Sequence, residues 1–164
     1  MTNEGSPGQQ GESTANTLLV QVEDGVRASE TVQAEVITYP QQLLNFARKL
    51  IDDGQFSIAA VVCHIACEIA TERSLSEAFA RKCIQDLKEP VVDLLNGYNL
   101  SNEKTRKLYA VLTGDEIQQK PFWQKFKESA TRRNKIIHGG TVVDKVKAED
   151  SFRAATDFIA HLDK

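Results

Sequence analysis

The 164-residue chain has three cysteines, an odd number and too few for a disulfide framework. A reducing compartment follows, and the expected location is the cytoplasm. No run of about 18 apolar residues occurs, so no membrane span and no membrane partner are expected. The opening stretch "MTNEGSPGQQGESTAN" lacks the basic start and apolar centre of a secretory signal. There is no Gly-rich phosphate loop, because "GDE" and "HGG" have neither the spacing nor the strand context, and no serine-hydrolase elbow. Metal ligands are scarce as well. Cys63, His64 and Cys67 can share a helical face, but no second cluster completes a zinc set. The two cysteines therefore read as small core residues. His64 reads as a buried, hydrogen-bonded histidine and His161 as surface. Neither a metal nor a cofactor is expected.

Apolar residues make up 41% of the chain, enough for one domain with a real core. The net charge of -3 argues against a strong nucleic-acid binder, but the charge is unevenly placed. Residues 1–38 carry six acids and one base, so omitting them takes the chain from 20 bases and 23 acids to 19 and 17. Between positions 119 and 138, Lys120, Lys125, Lys127, Arg132, Arg133 and Lys135 face Glu128 alone.

Residues 1–16 are polar and too poor in apolar surface to order themselves, so a disordered tail is expected. Residues 17–39 form an arm of uncertain structure, in which "TLLVQV" and "TVQAEVIT" alternate loosely about "EDG" as in a short hairpin or extended arm. From Pro40 to the end the signals are helical. Pro40 suits a first turn of "QQLLNFARKLIDD", and Gly54 ends that helix. A long helix from Phe56 to Leu87, apolar almost all round in its first half, is broken by Pro90. A short helix then ends near Gly97. Ser101 caps "NEKTRKLYAVLT", which Gly114 closes. Pro121 opens "FWQKFKESATRRNKIIH", which Gly139 and Gly140 stop, and a last helix spans about Lys145 to Leu162. Short connections favour antiparallel neighbours, so the expected fold is an all-α, up-and-down bundle of five or six helices over 40–164.

At about 100° per residue, Phe122, Phe126, Ala130, Ile136 and Ile137 fall on one apolar face of the penultimate helix, with Trp123 at its margin. Lys127, Thr131, Asn134 and His138 form a polar stripe beside it. Lys125, Glu128, Arg132 and Lys135 take the solvent side. Arg133 falls near the middle of the apolar face instead. An unpaired guanidinium there would cost several kcal/mol, on the order given for buried ions, so it must reach a cleft or meet a carboxylate. Ser57, His64, Glu68 and Glu72 share a narrow arc of the long helix, and Glu68 is the deepest acid in the pattern. The expectation is that Glu68, with His64 beside it, positions Arg133. A charge run of this kind is more often a solvated face with one snorkelling arginine than a site.

The stretch "RRNKIIHG" resembles the signature of the HEPN superfamily (higher eukaryotes and prokaryotes nucleotide-binding): an Arg, four to six residues, then a His, often with Asn after the Arg. Arg133, Asn134 and His138 match with four intervening residues, and Arg132 fits with five. "AAVVCHIACEIATERSL" resembles the family's long apolar helix with an embedded acid, and the likeness covers about 40–162. It implies a metal-independent endoribonuclease, often of toxin–antitoxin or other defence systems, acting as a homodimer. It also implies RNA as substrate and, in some systems, an antitoxin protein as partner. Arg133 and His138 would be catalytic with Asn134 orienting, while Lys127, Thr131, Arg132 and Lys135 would bind substrate. Many relatives are inert binding modules, so a non-catalytic domain for RNA, nucleotide or protein is the alternative. Some toxin subfamilies carry a Tyr after the His, whereas Gly139 and Gly140 stand here. Unaided chemistry is compatible: His moves protons near neutral pH, and the planar Arg fork matches phosphate.

Overall fold

The computed structural model describes residues 37–164 apart from position 96. The expected tail at 1–16 and all but the end of the expected arm therefore lie outside the described residues. Six α-helices follow in order: α1 Tyr39–Asp52, α2 Phe56–Arg81, α3 Lys88–Asp93, α4 Glu103–Thr113, α5 Trp123–Gly139 and α6 Lys145–Leu162. Short 3-10 turns at Gln85–Leu87 and Ile117–Gln119 complete the helical elements, and no strand occurs among the described residues. The all-α bundle is the fold of this region.

The centre is α2. Its buried positions are mostly small: Ala59, Ala60, Cys63, Ala66, Cys67, Ala70 and Ala78. Small side chains let α1, α5 and α6 approach closely around it, where larger neighbours such as Leu44, Phe126 and Phe158 fill the space. Burial pushes the Cys63 thiol up to about 12 and Cys67 well above its ordinary value, so both remain protonated, inert core groups.

α5 and α6 run antiparallel. Phe122 packs edge-on to Phe158, Phe126 stacks on Phe158 with centroids 4.2 Å apart, and Arg132 reaches Ser151 nearly two turns further along. α1 is tied to α6 by the Arg48 fork, which donates to Glu149 at 2.7 and 2.9 Å while its guanidinium lies 4.1 Å over the Phe152 ring.

Three boundaries differ from expectation. The long helix stops at Arg81, well before Pro90, because Cys83 takes a left-handed φ of 55°. Pro90 instead sits in the first turn of α3, where its missing N–H has no helical acceptor to lose. The cap of α4 is Asn102, whose Oδ1 accepts from Lys104 N–H at 2.9 Å, in place of Ser101. At the end of α5, Gly139 is still helical, and Gly140 takes the left-handed conformation with φ 61°. The Gly140 N–H bonds the Ile136 carbonyl at 3.1 Å and the Thr141 N–H bonds that of Lys135 at 3.2 Å, which turns the chain back along α5.

Candidate functional site around helix α5

The apolar face of α5 holds Trp123, Phe126 and Ala130 in the core, as the wheel expects. It fails in the last two turns. Ile137 shares the core angle but is 48% exposed. Arg133 turns inward to α2. Its Nη2 lies 3.8 Å from Glu68 Oε2, its Nη1 donates to Asn134 Oδ1 at 3.1 Å, and its Nε is buried without a partner among the described residues. The guanidinium is thus held on two sides at the margin of the core, with 23% of the side chain still open to solvent.

Glu68 stands between Arg133 and His64, whose Nε2 is 3.4 Å from Glu68 Oε1. The imidazole is almost fully buried, with its ring plane roughly parallel to that of Phe126 at a centroid distance of 6.1 Å. Its Nε2 also meets Asn99 Nδ2 at 3.1 Å, and its Nδ1 is buried without a partner among the described residues. Two groups hold the Glu68 carboxyl below its ordinary range, the His64 ring first and the Arg133 guanidinium after it, with burial opposing. The ring's share requires a proton on Nε2. A bond accepted from Asn99 removes that proton, and Arg133 is then the cation that keeps Glu68 ionised.

The polar stripe of Lys127, Thr131, Asn134 and His138 is exposed along its whole length, and the Thr131 hydroxyl is spent on the Lys127 carbonyl at 3.0 Å. Next to it, Lys127, Thr131, Arg132 and Lys135 line one groove of about 420 Å³, whose opposite wall carries Val142 and Lys147. Arg132 is not a free solvent cation as the wheel suggests. Its Nη1 donates to Ser151 Oγ at 2.6 Å on α6, which fixes the guanidinium at the groove's base. Four cations against Glu128 make the groove basic.

Arg133 and His138 are not brought together within one chain. Five residues of helix separate them by about 140° of rotation and about 7.5 Å of rise. Arg133 faces α2, whereas His138 is exposed in the last turn. Glu68, His64, Arg133 and Asn134 form one connected cluster. Lys127, Thr131, Arg132 and Lys135 form another on a different side of the same helix.

Sequence reasoning missed Asn99, which meets His64 on α2, and Lys147, which lines the groove along α5. It also misread His161. That ring donates from Nε2 to Asp115 Oδ2 at 2.6 Å, and Asp115 further takes the Tyr109 hydroxyl at 3.1 Å and pairs with Lys120 at 3.1 Å. Burial raises the Asp115 carboxyl, but His161, then Lys120 and Tyr109, hold it lower still, for a net value below the ordinary range. Among the described residues no group of three or more His, Cys, Asp or Glu side chains could hold a metal, and no helix is long and apolar enough to cross a membrane.

No family model matches this chain, and neither a curated protein nor a solved structure matches it.

Proposed function

We propose that the chain binds single-stranded RNA along α5 and cleaves it without a metal, as a HEPN-type endoribonuclease in which two copies complete one site. The observation that carries this reading is the restrained Arg133. A guanidinium fixed at the core margin by Glu68 and Asn134 keeps donors free for a phosphate while its orientation is already set. The basic groove on a different side of α5 supplies backbone contacts from Lys127, Arg132, Lys135 and Lys147.

In the proposed reaction a histidine takes the 2′-OH proton, the 2′ oxygen attacks phosphorus, and the bond from phosphorus to the 5′ oxygen breaks. A second histidine protonates the leaving oxygen, giving a 2′,3′-cyclic phosphate and a 5′-hydroxyl. Arg133 stabilises charge on the phosphoryl oxygens. His138 occurs once per chain at this helix end, so a two-fold dimer supplies both proton-transfer groups and lets Arg133 of one copy work with His138 of the other.

The test is His138→Ala, assayed for RNA cleavage and product ends together with its melting curve. Loss of cleavage at unchanged melting is expected, with cyclic phosphate as the wild-type product. Retained cleavage, or 5′-phosphate ends, overturns the reading. A specific observation favours a second reading, a non-catalytic module for RNA, nucleotide or a protein partner: Arg133 and His138 occupy different arcs of α5. That reading expects RNA affinity that falls steeply with salt and no turnover in either protein.

A further inference from the structure

Asn99 lies in the turn between α3 and α4, remote in sequence from both α2 and α5. Its side chain is nevertheless fixed at both ends. Oδ1 accepts the Ser101 N–H at 2.9 Å, which turns Nδ2 toward His64 Nε2 at 3.1 Å. An amide nitrogen can only donate, so the imidazole nitrogen facing it must be the bare one. The ring proton then sits on Nδ1, the buried atom for which the described residues offer no acceptor. A buried donor left unpaired loses its bonds to water without replacement, which is costly. The alternative tautomer would put Nε2–H against the Asn99 N–H and toward Glu68 at 3.4 Å.

The choice has a consequence on α5. With Nε2 bare, His64 offers Glu68 no proton, and the carboxylate's strong partner is Arg133. With Nε2 protonated, Glu68 divides its charge between the ring and the guanidinium, and the hold on Arg133 loosens.

The geometry points to Asn99 as a positioning residue for Arg133, acting through the His64 tautomer and Glu68. The chain of contacts runs from Ser101 N–H through Asn99, His64 and Glu68 to the Arg133 guanidinium. Its effect on the ring stands apart from any activity, and its effect on ligand binding rests on the proposed RNA-binding function of Arg133.

The experiment uses the full chain with ¹⁵N-labelled histidine and arginine. Only three histidines occur, so the ring signals are few enough to assign by substitution. Wild type is expected to carry the His64 proton on Nδ1 near neutral pH. Asn99→Asp keeps an oxygen for Ser101 N–H and replaces the donor by an acceptor, so the proton should appear on Nε2. Asn99→Ala removes the amide without adding charge; it should shift the proton toward Nε2 in the same way, and it serves if the aspartate variant melts early.

In both variants the Arg133 Nε–H signal should move, and affinity for labelled polyuridine should fall about threefold to tenfold, the scale of one weakened charge-assisted bond. A wild-type ring protonated on Nε2 overturns the inference. So does a ring unchanged by either substitution, or an Arg133 signal indifferent to a reversed ring. If the wild-type chain binds no polyuridine, the proposed function fails. The tautomer and the Arg133 signal then still decide whether Asn99 positions the guanidinium.

Discussion

Removing the carboxylate from Glu68 should destabilise the protein more than removing the guanidinium from Arg133. Among the described residues, Glu68→Ala leaves Arg133 with its Nε already buried and unpartnered, and with Asn134 as its remaining side-chain acceptor. Breaking a fully buried pair from one side costs about 3–5 kcal/mol. Here the ions are 3.8 Å apart and roughly a quarter of each side chain is exposed, so solvent screening reduces the figure. We expect a loss of about 1–2 kcal/mol for Glu68→Ala, or about 3–6 °C in melting temperature for a domain of this size.

Arg133→Met removes the charge that needs a partner and leaves an apolar stem against the core. It should be neutral, or stabilising by about 1 kcal/mol. In the double variant the Glu68→Ala penalty should largely vanish, since no stranded cation remains. Urea unfolding of the four proteins gives the cycle and its coupling energy directly. Equal losses for the two single variants, or a Glu68→Ala loss that persists in the Met background, would refute the idea that Arg133 depends on Glu68 for its place.

Phe126 is fully buried between the Trp123, His64 and Phe158 rings, so Phe126→Ala should cost about 3–5 kcal/mol by denaturant titration. A loss below about 1 kcal/mol would mean that the α2–α5–α6 core collapses onto the cavity. Asp115 has a folded value below its ordinary one, so its contribution to stability is present above the normal carboxylate range, near 4, and is lost as pH falls through the folded value. Asp115→Asn should therefore lower stability at neutral pH and flatten the acid limb of a stability–pH curve. Parallel acid limbs in wild type and variant would argue against the His161 and Lys120 contacts.

The helices of residues 40–164 could be read from the sequence because their signals are local. Pro40 and Gly54 bracket α1, Gly114 and Gly140 close α4 and α5, and apolar spacing marks the faces that α1 and α5 bury. The end of α2 was not legible. Cys83 adopts a left-handed backbone that no local residue type demands, so Pro90 drew the expected break seven residues too late. A helical wheel also assigns an angle without knowing whether a neighbour exists at that height. It therefore put Ile137 in the core, although that side chain is 48% exposed, and Arg132 in solvent, although it donates to Ser151 on α6.

Sequence by itself determined that Arg133 falls at the angle of the apolar face rather than among the solvent-side charges, so that it must reach a cleft or meet a carboxylate. The reason is local: its position among Phe126, Ala130 and Ile137 on a regular helix makes an unpaired guanidinium too costly. The fold decided what answers that charge and what lies beyond it. Glu68 comes from α2, Asn99 from a turn some 30 residues away and Lys147 from the start of α6, and each arrives through packing that no spacing along the chain encodes. Tertiary structure likewise decided that Arg133 and His138 part company around α5, because a helix fixes the angle between two residues while only the surrounding core fixes which of them turns inward.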